Sequence, residues 1–410
     1  MRWQWLAPVT LSMLGGICAA VAASAAPLRL SIDDAVARAT RGSADVSSGR
    51  RDAALASANV ARSKAWLPSN PYASSGAQYS SQYGNNYWFT LAQELEVAGQ
   101  RGPRVDAAAA GARKVEWELK AAEQTAVAAV KTTFVQSLVN RERVTLARKG
   151  LDLATDLVHQ LTRQDARDLT QQVDLNTAKL QEARARRDMV TTERAYDELL
   201  NTLRQWVDVP PQQDIELVGA PEYTARPMPA AVDLIERALR QRPDVVARRH
   251  AAEEARNELT LAKRSVIPNV SVSGTYLQFE GASLAGGEVS LPLPVFKSGA
   301  AETAEAAAVN EHAAQALQGM ERAVPYEVVE ARRACANAAS DVQLVKADIV
   351  PRSEDNVRLQ RQLYDRSVVS LSDYVEAQLD AIAAQRELLD AVGTYNEAVI
   401  ELERVVGGPW

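Results

Sequence analysis

The sequence predicts a mainly α-helical chain with a smaller β part, built as one structural unit written twice. Three observations predict it. Of 410 residues, 47% are hydrophobic but only 5% aromatic, a balance that suits long alanine-rich helices better than a large sheet core. Apolar residues recur at steps of three and four over very long stretches of both halves. Short segments of the two halves match, in order, about 200 residues apart. The same numbers exclude other classes. A formal charge of -6 argues against a nucleic-acid binder, which carries a basic face. Two cysteines cannot build a disulfide framework or a four-cysteine zinc site. Beyond residue 25 no apolar run is long enough for a helix to cross a bilayer.

Residues 1–25 read as an export signal: Arg2, an apolar stretch from Leu6 to Val21, and the small-residue cleavage site Ala23-Ser24-Ala25. Cys18 follows Leu14-Gly15-Gly16-Ile17, and Ile17 stands where lipid attachment would want a small residue. Cys18 is therefore read as part of the apolar stretch, and cleavage after Ala25 leaves Cys335 alone in an oxidising compartment.

The duplication is carried by several matches. Asp34-Ala35-Val36-Ala37-Arg38-Ala39 aligns with Asp233-Leu234-Ile235-Glu236-Arg237-Ala238, and Asp45-Val46 with Asp244-Val245. Leu67-Pro68, Leu95-Glu96-Val97 and Leu169-Thr170 align with Ile267-Pro268, Leu293-Pro294-Val295 and Leu371-Ser372. Pro210, Pro211, Pro221, Pro227 and Pro229 crowd the middle of the chain, which must be extended there. The expected organisation is a first repeat over 26–208, a proline-rich linker over 209–230 and a second repeat over 231–410.

Each repeat opens on a helix, about Ser31 to Ala65 and Ala231 to Val266, stopped by Pro68 or Pro268. Two strand-like runs follow in each: Tyr72 to Ser81 and Asn86 to Val97, then Asn269 to Phe279 and Glu288 to Val295. Alternation is clear in Tyr87, Phe89, Leu91 and in Val289, Leu291, Leu293, Val295. Gly84-Asn85-Asn86 and Gly286-Gly287 offer turn residues, so each pair reads as a hairpin. Very long helical regions come next, Val105 to about Trp206 and Ala300 to about Val406. Leu388, Val392, Tyr395, Val399, Leu402 and Val406 step alternately by four and three, the seam of a coiled coil. Val127, Val130, Phe134, Leu138 and Tyr196, Leu199, Leu203, Trp206 do much the same in the first repeat. Gly150 and Pro351 are expected to interrupt these helices at matching places. The segments Thr162 to Thr170 and Tyr364 to Ser372 lack an apolar stripe and are expected to be helix-turn-helix tips.

Four strands cannot close a barrel around a pore, and a lone sheet leaves open edges. Copies sharing one barrel would remove both problems, two chains giving eight strands and three giving twelve. Tyr72, Tyr79, Tyr83, Tyr87, Trp88, Tyr276 and Phe279 cluster in the hairpins and suit the interfacial girdles of an outer-membrane barrel. An aromatic sheet packed on helices is the plainer reading of the same residues.

This order of helix, hairpin and interrupted long helices, written twice behind an export signal, resembles the TolC family of outer-membrane efflux proteins over nearly the whole mature chain. Short repeats, a broken lipid-attachment site and compact length resemble its heavy-metal (CzcC-type) branch. The resemblance implies a homotrimer: a shared twelve-stranded β-barrel in the outer membrane and a coiled-coil α-barrel extending into the periplasm. It further implies a periplasmic adaptor (membrane fusion protein) at the tips, a resistance-nodulation-division (RND) pump in the inner membrane, and passive export of divalent heavy-metal cations. In family members acidic residues near the second tip narrow the pore. Asp373 and Glu376, three apart on one helical face, fit that pattern in Ser370-Leu371-Ser372-Asp373-Tyr374-Val375-Glu376-Ala377. In the first repeat only Asp174 keeps the charge, the other equivalent position being Gln171. Solvated acids on an exposed helix are the plain alternative. Asp165, Ala166, Arg167, Asp168 and Ser367, Val368, Val369, Ser370 are the turns expected to meet the adaptor, without the glycine that family members often carry there.

His159, His250 and His312 stand far apart and Cys335 has no nearby partner, so no metal-ligand spacing appears. Nor is there a nucleophile motif, a P-loop or a catalytic carboxylate pair. The expectation is no enzyme and no cofactor. Export of drugs or organic solutes by the same kind of channel, and a soluble periplasmic coiled-coil adaptor or scaffold, stay open as alternatives.

Overall fold

The computed structural model describes residues 27–82, 84–163, 169–279, 281–295 and 298–410. The expected export signal with Cys18, and Tyr83, Asp165, Ala166, Arg167 and Asp168, lie outside the described residues.

The chain runs β1 (Leu28–Leu30), α1 (Ile32–Gly42), α2 (Ala44–Ser63), β2 (Tyr72–Ser80), β3 (Gly84–Leu95), α3 (Arg101–Arg163) and α4 (Leu169–Trp206). It continues with β4 (Ile215–Leu217), α5 (Ala231–Gln241), α6 (Pro243–Ser265), β5 (Val270–Phe279), β6 (Ala282–Ser290) and α7 (Ala300–Leu344). A π-helical turn (Val345–Ile349), α8 (Val350–Asp365) and α9 (Leu371–Val406) complete it. The 63 residues of α3 make a rod about 95 Å long. No described helix is long and apolar enough to cross a membrane.

The opening helix of each repeat is two helices, not one. Ser43 (φ −59°, ψ 132°) and Arg242 (φ −62°, ψ 121°) are extended residues between helical segments. Pro243 explains the second break, because its ring pushes the preceding residue out of the helical region. The first break holds the same conformation at the matching place without a proline. The expected interruption at Gly150 does not occur: α3 runs through it, since one glycine costs a helix only about 1 kcal/mol. Pro351 falls in the first turn of α8, immediately after the π turn. A missing amide there widens the ladder locally and leaves the rod continuous.

The helical seams form two cores, one per repeat. Val130, Phe134, Leu138, Leu200 and Leu203 pack with Leu30, Ala35, Ile215 and Leu217 in the first. Val392, Tyr395, Val399, Leu402 and Val406 pack with Leu234, Val245, Val324, Val328 and Cys335 in the second. The 209–230 segment lies over both. Its β4 pairs in parallel with β1, Leu28 opposite Ile215 and Leu30 opposite Leu217. Arg141 donates to the Leu217 and Gly219 carbonyls at 2.8 and 2.6 Å, Tyr395 to that of Thr224 at 3.0 Å, and Arg332 to that of Pro229 at 3.0 Å.

The four longer strands form one antiparallel sheet in the order β2-β3-β5-β6. The second hairpin differs from its expectation. Gly286 and Gly287 lie inside β6, opposite Thr275 and Gly274, and the strand ends at Ser290 rather than Val295. Pro292 and Pro294 cannot donate to a ladder, so the alternation of Leu291, Leu293 and Val295 continues outside it. Register gives the sheet two unlike faces. Tyr87, Phe89, Leu91 and Leu95 share one with Tyr276, Val272, Val270 and Val289. Ser74, Thr90 and Glu94 share the other with Thr275, Ser273, Ser271, Glu288 and Ser290, and the Thr90 and Thr275 hydroxyls lie 3.0 Å apart on it.

At the foot of the sheet, polar side chains tie strands to helices. Gln100 donates to the Ile267 carbonyl at 3.1 Å, Asn269 to Glu94 at 2.9 Å, and Gln93 to the Ser69 carbonyl at 2.9 Å. Arg104 pairs with Glu96 and donates to the Ala65 carbonyl at 3.2 Å.

Candidate functional site

The end of the bundle farthest along the chain from the sheet is where α3 gives way to α4 and α8 to α9. Leu157, Ala178 and Val375 are buried together there, with Val158, Leu161, Leu371 and Leu379 packed around them. The start of α9 is thereby seated on the α3–α4 pair through Leu371, Val375 and Leu379, which recur every four residues along one stripe. Asp373 and Glu376 project away from that stripe and are exposed, as is Asp174, one turn before Ala178 in α4. Because Ala178 and Val375 share a core, the three carboxylates stand at one level of the bundle. Arg386 and Asp188 link α9 to α4 at 2.5 Å. Arg143 and Asp390 link α3 to α9, also at 2.5 Å.

The turn between α8 and α9 is made by Ser367, Val368, Val369 and Ser370. Ser367 has φ 56°, so a serine occupies the left-handed position that glycine usually takes at a helix end. The Ser367 amide donates to the Tyr364 carbonyl at 2.8 Å and the Val368 amide to the Leu363 carbonyl at 2.9 Å. Val368 is 66% exposed. Tyr364 and Tyr374 stack across the turn, centroids 5.7 Å apart.

Ser370 then caps α9. Its hydroxyl accepts the Asp373 amide at 3.1 Å, while Asp373 Oδ2 accepts the Ser370 amide at 3.0 Å and its hydroxyl at 2.7 Å. This is a reciprocal capping box. These serine hydrogen bonds hold the Asp373 carboxyl below its ordinary value. Asp373 therefore has a structural task that the i, i+3 spacing did not disclose, although Ser-x-x-Asp before an apolar run is its sequence signature. Ser31 and Asp34 make the same two hydroxyl hydrogen bonds at the start of α1.

The hairpin aromatics do not form one set. Tyr79, Tyr87 and Tyr276 belong to the apolar face of the sheet, whereas Tyr72, Trp88 and Phe279 belong to the opposite, polar face. Trp88 lies over Gly76, where an added Cβ would come within 2.0 Å of the indole. Register therefore divides the described aromatics between the two faces of the sheet. Alternate positions on a strand cannot face the same side.

His250 Nδ1 lies 3.1 Å from Glu253, which also pairs with Arg113. Cys335 is buried in the second core, and burial pushes its thiol up. Among the described residues no group of three or more His, Cys, Asp or Glu side chains could hold a metal ion.

Comparison with known proteins agrees with this architecture. A family model described as outer membrane efflux protein matches residues 234–408. The chain is 21% identical over 316 residues to the cobalt-zinc-cadmium resistance protein CzcC of Cupriavidus metallidurans, covering 76% of this chain and 75% of that one. Its fold resembles a membrane protein from Pseudomonas aeruginosa (TM-score 0.78, 20% identity, 92% of this chain and 90% of the other). It equally resembles the open state of the MtrE outer membrane channel of Neisseria gonorrhoeae (TM-score 0.78, 16% identity, 92% and 89%). Residues 234–408 thus match the outer membrane efflux protein family, and the fold over 92% of the chain is shared with a solved outer membrane channel.

Proposed function

We propose that the chain is the outer-membrane channel of a tripartite efflux system, a homotrimer that passively conducts divalent heavy-metal cations out of the periplasm. The observation that carries this reading is the sheet. It has one apolar and one polar face, and among the described residues β2 and β6 each pair on one side only. Three copies edge to edge make twelve strands, turn the apolar face to lipid, and leave a polar lumen wide enough for solute. The helices below prolong that lumen into the periplasm. Asp373, Glu376 and Asp174 form its acidic constriction, where threefold repetition concentrates carboxylates and attracts cations. The turn Ser367–Ser370 and its first-repeat counterpart Asp165–Asp168 meet the periplasmic adaptor, and an RND pump of the inner membrane supplies the energy. Metal cargo is supported by the likeness to CzcC, a resistance protein for cobalt, zinc and cadmium by name.

Deleting the gene and growing the strain across a panel of metals and drugs tests the cargo. Sensitivity to divalent metals alone is expected; sensitivity to organic drugs alone would overturn it. Heat-sensitive migration of the outer-membrane fraction tests the assembly, and a monomer released by osmotic shock would refute it.

A further inference from the structure

The junction of helices and sheet carries a surface of different chemistry from the tips. Arg62, Lys64, Arg101, Lys263 and Arg264 are all exposed around it, and none has a carboxylate partner among the described residues. They come from the end of α2, the start of α3 and the end of α6, which all meet the sheet here. Arg101 donates to the Lys64 carbonyl at 3.1 Å, Arg264 donates to the Gly99 carbonyl at 2.7 Å, and Arg62 is fixed by Asn59 at 2.6 Å. Two carboxylates of the junction are already engaged, Glu96 by Arg104 and Glu94 by Asn269. Elsewhere on the bundle, arginines find acids: Arg113 with Glu253, Arg143 with Asp390, Arg249 with Glu321.

Apolar side chains lie among these cations. Trp66 is 77% exposed, Val97 55% and Ile267 54%. The paired Leu95 and Val270 end the apolar face of the sheet at this level. Unpaired cations and an exposed tryptophan thus stand where a hydrocarbon-facing surface gives way to water. Tryptophan favours that boundary, and long cationic side chains keep their stems on apolar surface while the charge reaches outward.

We propose that this junction is a headgroup-binding collar for anionic phospholipid of the periplasm-facing leaflet. Guanidinium and ammonium groups take the phosphate oxygens, and Trp66, Val97 and Ile267 take the glycerol and upper acyl region. The collar rests on the channel reading, which sets the sheet in the bilayer.

The test uses full-length protein reconstituted into nanodiscs of phosphatidylcholine and phosphatidylglycerol, then released into neutral detergent. Native mass spectrometry reads which lipid stays bound. The wild type retains phosphatidylglycerol over phosphatidylcholine, and Lys64→Gln with Lys263→Gln weakens that preference about fivefold per cation. Neither ammonium group holds any other part of the fold among the described residues, so folding is spared; Lys64→Arg with Lys263→Arg keeps the preference. Equal retention of the two lipids by the wild type, or full preference in the glutamine variant, overturns the collar alone. Failure of the wild type to enter nanodiscs overturns the collar and the channel reading together.

Discussion

Replacing Ser370 with alanine separates two properties that the second tip combines, a helix cap and a cluster of charge. The hydroxyl accepts the Asp373 amide at 3.1 Å and donates to its carboxylate at 2.7 Å. Alanine removes both and leaves the Ser370 amide on the carboxylate. Loss of a serine cap costs about 1 kcal/mol, roughly fivefold in the local opening equilibrium. The change stays local because Leu371 and Val375 remain seated against Leu157 and Ala178. Hydrogen exchange read by mass spectrometry should show amides at the start of α9 exchanging about fivefold faster, with Val392 to Val406 unchanged. Glu376→Gln does the reverse: exchange is unaffected, but block by multivalent cations in planar bilayers weakens. Unchanged exchange in Ser370→Ala would refute the cap, and unchanged block in Glu376→Gln would refute the acidic constriction. The pH dependence has a defined sign. Because the Asp373 carboxyl is held below its ordinary value, its support is complete above about pH 4 and fades as pH falls through the lowered folded value.

Three further outcomes are expected. Phe134→Ala empties the centre of the first core, where the ring is 1% exposed, and should cost about 3–5 kcal/mol in denaturant unfolding. Arg104→Met strands Glu96, whose side chain is 10% exposed, and should destabilise by about 3–5 kcal/mol; adding Glu96→Met should recover most of the loss. Gly76→Val drives a side chain into the Trp88 ring and should abolish heat-sensitive assembled protein on gels, whereas adding Trp88→Ala should restore it.

What the sequence disclosed follows from the length over which each pattern acts. The seam from Leu388 to Val406 repeats for several turns, so its period is unambiguous, and the same residues line the second core. A break needs a single residue. Pro243 is the visible sign of one that the expected helix over Ala231 to Val266 passed over, while Ser43 makes the matching break with nothing but its backbone angles. The hairpin of β5 and β6 was misplaced because its second strand is built of Ser, Ala and Gly, which alternate weakly, whereas Val289 to Val295 alternates strongly across prolines that no ladder accepts. β1 and β4 are three residues each, too short for any period. At the tip, loss of the apolar stripe located the turn, but the left-handed Ser367 is invisible where glycine is the usual sign. The facing of Asp373 and Glu376 depends on how copies meet, and the period of one chain does not encode assembly symmetry.

The pairing of β1 with β4 bears on how the protein matures. Leu30 reaches its core beside Ile215 and Leu217, residues made long after it. As the chain is made from its N-terminus, α1 and α3 can grow their hydrogen bonds locally. The beginning of the chain, however, has no strand to join until half the polypeptide has been made. Such non-local closure is slow and leaves apolar edges uncovered meanwhile. The first helical core is thus completed by the very segment that leads into the second half of the chain.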